Sequence, residues 1–154
     1  MALKRDIAVL HGLPLFGLLE DEALRLIAFA AEARVYAPGD ILFRAGEPAD
    51  GGYVVTSGRI ALDAGDGREA VVVGPGTLLG ELALIVETER PATAIVRESA
   101  SVLRVTRNVF RRVMEEFPGS AARLHDAIVE RSQQTAHRLE GIRRRFAAID
   151  GGRA

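Results

Sequence analysis

Between Arg34 and Thr106 the sequence alternates short apolar runs with glycine-containing turns, and this pattern limits the possible folds more than any other feature. Turn signals such as Pro38-Gly39-Asp40 and Gly74-Pro75-Gly76 separate runs that are rich in Val, Ile, Leu, Phe and Tyr. Short strands at this spacing are typical of a compact antiparallel roll or sandwich. The predicted strands are Arg34–Tyr36, Ile41–Arg44, Gly52–Ser57, Arg59–Ala64, Ala70–Val73, Thr93–Val96 and Ser101–Thr106.

Helical periodicity precedes this β-rich region. From Asp6 to Ala33 apolar residues recur every three or four positions, and Asp21 is a candidate N-cap for a helix from Glu22 to Arg34. The chain is therefore expected to fold as a single α+β domain over residues 1–154. In that domain N-terminal helices (1–33) precede an antiparallel β-roll (34–106), which resembles a double-stranded β-helix or jelly roll.

A second helical region, 107–150, is predicted after the strands. It begins with an amphipathic piece from Asn108 to Phe117, and Ser120 is expected to cap a long helix that ends near Gly151. Alternating steps of four and three make a heptad seam in this helix, which favours a homodimer, although packing on the domain's own roll is the alternative. The seam consists of Ala121, His125, Ile128, Ser132, Thr135, Leu139, Ile142, Phe146 and Ile149.

Composition removes several classes of function. The chain has 154 residues, 48% of them apolar and 27% charged, with a net charge of −1, as expected for one soluble globular domain. It contains no cysteine, which excludes disulfides, thiolate catalysis and thiolate metal sites. No signal peptide and no apolar run of about 20 residues is evident, so we expect a cytoplasmic protein without membrane contact.

The segment from Gly80 to Ala94 carries the chemistry. Gly80 allows close approach of the backbone to a ligand, and a short helical turn from Glu81 to Leu84 would expose N–H groups to an anion. Arg90 can grip phosphate oxygens in a bidentate manner. The carboxylate of Glu81 would repel a phosphate, but it can accept a hydrogen bond from a neighbouring hydroxyl. An anion-binding arginine beside such an acceptor indicates a sugar phosphate.

These residues resemble the cyclic-nucleotide-binding family of the cAMP receptor protein and protein kinase A regulatory subunit type. The resemblance covers nearly the whole chain and includes Leu13–Phe16, Tyr36–Asp50 and Tyr53–Gly58. Its functional part is the phosphate-binding cassette, matched by Gly80–Leu84 and by Arg90 with Ala92. The resemblance implies a stand-alone sensor of cAMP in signal transduction, with no catalytic residue, metal or other cofactor.

The resemblance also assigns roles within the site. It implies that Glu81 accepts from the ribose 2′-OH, that Arg90 pairs with the cyclic phosphate, and that the backbone at Leu82 and Ala83 lines the phosphate. Thr135 on the long helix would meet the adenine amino group. The same threonine can equally be a tolerated small residue of a helix interface.

Pro91 departs from the family pattern. Relatives often have Ala, Ser or Thr directly after the arginine, whereas proline has no N–H to donate. We expect the loss of one phosphate hydrogen bond, about 1–3 kcal/mol, unless water replaces it. The missing threonine favours cAMP over cGMP as the ligand.

Three alternatives stand beside the cAMP sensor. The cassette could persist as scaffold in a ligand-independent interaction module, with Glu81 and Arg90 as a weak surface ion pair. An enzyme on a similar barrel would need a histidine cluster on strands, but His11, His125 and His137 all lie in predicted helices. A relative of cAMP-responsive transcription regulators would have to act through a partner, because only four residues follow the predicted long helix. The downstream protein is unknown, and no direct sequence-specific DNA binding is expected.

Overall fold

The computed structural model describes residues 2–131, which fold into an antiparallel β-roll with helices before and after it. The N-terminal elements are α1 (Ala2–Gly12), a 3₁₀ turn (Phe16–Leu18) and α2 (Asp21–Ala30). Eight strands follow: β1 (Glu32–Tyr36), β2 (Ile41–Phe43), β3 (Pro48–Ala49), β4 (Gly51–Asp63), β5 (Val71–Val73), β6 (Leu78–Leu79), β7 (Thr88–Glu89) and β8 (Thr93–Thr106). A second 3₁₀ turn, the cassette turn (Leu82–Leu84), lies between β6 and β7. After β8 come α3 (Arg107–Glu116) and a C-terminal helix described over 118–131.

Two long antiparallel strands, β4 and β8, form the centre of the roll. Their register runs from Gly51 opposite Thr106 to Asp63 opposite Thr93. The main sheet has the order β1-β8-β4-β5, with β2 also paired to β8 and β6 to β4, and β3 and β7 form a separate two-stranded sheet. The predicted α+β class, an antiparallel β-roll with flanking helices, is confirmed.

The continuity of β4 and β8 corrects the predicted strand list. The glycine pattern predicts a turn at Ser57-Gly58, but both residues belong to β4, where the register shifts and Gly58 has a φ of +86°. Glycine adopts this conformation without strain, so the strand bends without ending. β8 likewise continues through Arg97–Ala100. The two-residue strands β3, β6 and β7 were missed because so short a segment has no detectable period.

Three predicted helix boundaries are also wrong. Glu20, not Asp21, is the N-cap of α2, and the helix ends at Ala30 because Ala31 is already extended (ψ 145°). The residues predicted to continue it form β1, where Glu32 pairs with Arg104. Ser120 lies inside the C-terminal helix and does not cap it; its hydroxyl accepts a hydrogen bond from the N–H of Glu20 at 3.2 Å.

Two apolar clusters make up the core. One fills the roll and includes Phe43, Tyr53 and Val102. The other joins the helices to the end of the roll, with Phe16 and Phe110 stacked at 6.0 Å between centroids, and includes the side chains of Leu10, Leu24, Ile27, Leu84, Leu124 and Ile128. Residues 107–131 are therefore attached to the same core as α1 and α2.

Of the described residues of the heptad seam, Ile128 packs on its own domain. Ile128 is only 6% exposed within the helical cluster, whereas His125 is exposed. The alternative of packing against the domain's own core thus applies to Ile128. The rest of the seam, including Thr135, lies outside the described residues.

No helix within residues 2–131 combines the length and the apolar character that a membrane crossing needs.

Candidate functional site

Most of the predicted site residues line one cavity of about 370 Å³. Its wall contains Gly80, Glu81, Leu82, Ala83, Arg90, Pro91 and Ala92, together with Phe43, Ala49, Leu62, Leu78, Leu79, Thr88 and Glu89. The structure therefore brings together every predicted site residue except Thr135, which lies outside the described residues. The apolar part of the wall suits a flat ring, and the polar part suits a charged and hydroxylated group.

Arg90 is the most unusual residue of this cavity. It is only 5% exposed, and its guanidinium carbon lies 4.5 Å from the centroid of Phe43 and 5.4 Å from that of Tyr53. Among the described residues Nη1 has no hydrogen-bond partner, and Nη2 lies 3.9 Å from Oδ1 of Asp50. Burial lowers the pKa of Arg90, with Tyr53 and Asp50 acting in the opposite direction. A buried cation with an unused donor is unfavourable by itself and is matched to an anion.

Backbone contacts fix Arg90 in this position. Its N–H donates to the carbonyl of Glu47 and its carbonyl accepts from the N–H of Gly46, both at 2.8 Å. Gly80 has a φ of +88°, and a Cβ atom there would lie 2.5 Å from Nη1 of Arg90. The sequence predicts that Gly80 lets the backbone approach a ligand closely. In the structure Gly80 also lets the backbone approach the guanidinium of Arg90.

Glu81 is held by the C-terminal helix. Both of its carboxylate oxygens accept from Nη1 of Arg131, at 3.2 and 3.1 Å, and the Glu81 side chain is 27% exposed. The hypothesis of a surface ion pair between Glu81 and Arg90 is wrong in its geometry, since Arg90 is buried and each residue has another ionic neighbour. Glu81 therefore connects the cassette turn to the C-terminal helix.

The cassette turn uses some of its own N–H groups. Ala83 donates to the carbonyl of Gly80 at 3.1 Å, and Leu84 donates to that of Glu81 at 3.2 Å. Ala83 lines the cavity as predicted, but its N–H is already bonded inside the turn. Arg107 ties the turn to the roll, because its Nε donates to the carbonyl of Ala83 and its Nη2 to that of Ala49.

Sequence reasoning missed the residues that surround Arg90 and the cassette turn. Phe43, Asp50 and Tyr53 all lie in or beside the stretches that carry the family resemblance, but their contacts with Arg90 depend on how β2 and β4 meet across the roll. Arg107 looks like an ordinary first-turn residue of α3. A signal that could have found Asp50 is its isolated acidic position just before an apolar strand.

Comparisons with known proteins identify a family. The family model described as cyclic nucleotide-binding domain matches residues 33–117. The chain is 29% identical to the cyclic AMP receptor protein of Thermus thermophilus over 135 residues. This aligned segment covers 85% of this chain and 62% of that protein. The chain thus spans less than two thirds of the length of this relative.

Two solved structures resemble the chain. A cyclic nucleotide-binding-like protein from Brucella abortus has a TM-score of 0.65 and 42% identity, covering 71% of this chain and 97% of that one. The N-terminal domain of a transcriptional regulator from Streptomyces coelicolor has a TM-score of 0.74 and 34% identity, covering 82% of this chain and 94% of that one.

Proposed function

The chain belongs to the cyclic nucleotide-binding domain family, and from that premise we propose that it is a regulatory module that binds cAMP. One observation carries the proposal. Arg90 is a buried cation whose Nη1 has no hydrogen-bond partner within residues 2–131, and it lines a cavity together with Gly80–Ala83. A cyclic phosphate would supply an acceptor for Nη1 and a negative charge in direct contact with the guanidinium.

Glu81 is proposed to receive the ribose. A carboxylate can accept about four hydrogen bonds, so a 2′-OH can join Arg131 on the same group. Because Arg131 belongs to the C-terminal helix, a ligand at Glu81 would act directly on a residue of this helix. A ligand can change the position of this helix only to the extent that it binds one position more tightly than another. The proposed contact of Thr135 with the adenine amino group would act on the same helix.

We infer that the module binds its ligand and does not transform it. Within residues 2–131, no group of three or more His, Asp or Glu side chains could hold a metal ion. The site's polar groups suit recognition of a phosphate and a hydroxyl. Its cytoplasmic location remains a prediction from the sequence, as does its action through an unknown downstream protein.

Calorimetric titration with cAMP, cGMP and 2′-deoxy-cAMP tests the proposal. We expect one cAMP per chain, weaker binding of cGMP, and weaker binding of the deoxy analogue because it lacks the donor for Glu81. In Glu81→Ala the difference between cAMP and the deoxy analogue should disappear. A folded protein that gives no binding heat with either cyclic nucleotide and is not stabilised by them would favour the ligand-independent interaction module.

Pro91→Ala is expected to tighten cAMP binding. Pro91 lines the cavity directly after Arg90, and alanine would add an N–H donor next to the phosphate. The 1–3 kcal/mol or so expected for this hydrogen bond corresponds to an improvement of roughly five- to 150-fold in Kd. Pro75→Ala, in an exposed turn away from the cavity, is the matched control. Weaker binding in Pro91→Ala would mean that the proline preorganises the loop.

We also propose a homodimer through the seam beyond residue 131. Leu139, Ile142 and Phe146 are its largest apolar residues, and burying each would contribute roughly 1.5–3 kcal/mol. Ile142→Asp should give a monomer in sedimentation velocity with an unchanged circular dichroism spectrum, whereas Arg144→Asp, off the seam, should remain dimeric. A wild-type monomer at micromolar concentration, with and without cAMP, contradicts the dimer.

A further inference from the structure

The carboxylate of Asp50 lies between two arginines. Its Oδ1 is 3.9 Å from Nη2 of Arg90, which is beyond hydrogen-bond distance, while its Oδ2 accepts a close hydrogen bond from Nη2 of Arg104. Asp50 is 63% exposed, whereas the Arg90 side chain is 4% exposed. The aspartate is therefore free to turn toward either cation, and in this structure it is held by Arg104.

Arg104 is itself fixed by its surroundings. It lies on β8, opposite Glu32 of β1 on one side and Tyr53 of β4 on the other. Its Nη1 donates to Oε2 of Glu32 at 3.0 Å, and the same oxygen accepts from Arg34 at 3.1 Å. Burial lowers the pKa of Arg104, but the Glu32 hydrogen bond and the charge of Asp50 outweigh it and the net shift is upward. Arg104 thus remains a charged anchor for the aspartate.

We propose that Arg104 is a positioning residue for the anion site: by holding Asp50, it prevents that carboxylate from closing onto Arg90 and leaves the Arg90 guanidinium available for a phosphate. This inference rests on the proposed function, since it concerns regulation of the same site. Asp50 and a phosphate are both anions, and they would have to share the single guanidinium of Arg90. A full Asp50–Arg90 pair would have to open before the ligand could bind.

The inference predicts a pattern in a double-mutant cycle. Arg104→Gln should weaken cAMP binding about five- to twentyfold, because Asp50 is released and competes with the phosphate. Asp50→Asn should bind cAMP as well as the wild type or more tightly, because the competing anion is gone. Arg104→Gln/Asp50→Asn should bind within about twofold of Asp50→Asn alone. Rescue of this kind is not expected if Arg104 serves only the stability of the roll.

The experiment measures cAMP affinity by calorimetry and, in parallel, stabilisation by inorganic phosphate in thermal unfolding for all four proteins. Arg34→Gln removes the other arginine that donates to Glu32, and as the matched control it should bind like the wild type. Arg104→Lys keeps the charge that holds Asp50 and should bind more tightly than Arg104→Gln. Wild-type affinity in a folded Arg104→Gln overturns the inference. If Arg104→Gln does not fold, weaker cAMP binding by Asp50→Asn than by the wild type overturns it.

The inference is also overturned if Arg104→Gln weakens cAMP binding by the same factor in the wild type and in Asp50→Asn. Arg104 would then act by its own charge and not through Asp50. A wild type that is stabilised by phosphate but does not bind cAMP refutes the proposed function. The phosphate stabilisation of the four proteins then still tests whether Arg104 keeps Asp50 away from Arg90. A wild type that responds to neither refutes both, because Arg90 would not be available to any anion.

Discussion

Replacing Arg90 with methionine is expected to weaken cAMP binding by at least about a hundredfold, because a bidentate pair with the phosphate provides two charge-assisted hydrogen bonds of roughly 1.5–3 kcal/mol each. The fold should survive the change. Methionine can pack against the rings of Phe43 and Tyr53 in place of the guanidinium. It also removes a buried charge whose Nη1 has no hydrogen-bond partner in the described part of the chain. The melting temperature without ligand should therefore be unchanged or higher.

Calorimetry and thermal unfolding on the same protein samples check this result. Arg97→Ala removes an exposed arginine from the same strand, β8, and should bind cAMP like the wild type. Arg90→Lys retains the charge but loses the planar fork, so its affinity should lie between those of the wild type and Arg90→Met. Unchanged affinity in a folded Arg90→Met would show that the anion is held elsewhere.

Gly80→Ala is expected to damage both the fold and the site. The backbone at φ +88° is unfavourable for alanine by about 1–2 kcal/mol. In addition, the new Cβ would lie 2.5 Å from Nη1 of Arg90 and 2.9 Å from the carbonyl oxygen of Gly51. Because aromatic rings pack against the guanidinium, Arg90 cannot move away freely. We expect a lower free energy of unfolding and a loss of cAMP affinity of about tenfold or more.

Gly76→Ala separates the two contributions to this effect. Gly76 has a similar φ of +84°, but nothing lies within 4 Å of the position of its Cβ. It should therefore lose the backbone contribution to stability and keep its affinity for cAMP. Denaturant unfolding gives the stability of both variants, and calorimetry gives their affinities. Equal stability and equal affinity of the two variants would contradict the contact between Gly80 and Arg90.

The sequence predicted the class of fold because turn residues and apolar runs are local signals. Those signals fail where a strand bends without ending. Ser57-Gly58 looks like a turn, yet the hydrogen bonds between β4 and β8 continue past it, and only pairing with a distant strand decides this. The boundary at Ala30 failed for the same reason, since Glu32 pairs with Arg104, 72 residues away along the chain.

The candidate site was predictable to the extent that it is contiguous. Gly80–Ala83 and Arg90–Ala92 lie within one short segment, so their proximity follows from the chain itself. The proximity within the network around Asp50 does not follow from the chain itself. The pairing of β3 with β7 brings Arg90 near Asp50, and the register of β1, β4 and β8 places Arg104 beside Glu32. The link from Glu81 to Arg131 spans 50 residues and depends on where the C-terminal helix packs.

The measurement that tests the central claim most directly is a titration of ¹⁵N-labelled protein with cAMP, followed by the chemical shifts of its assigned backbone amides. The account predicts saturable changes that are largest at Gly80–Ala83, Arg90 and Ala92, together with smaller changes at Arg131. The amides of Gly65 and Gly67, in a turn outside the cavity, should stay unchanged. No saturable change at any of the cassette amides, or changes confined to residues outside the cavity, would contradict it.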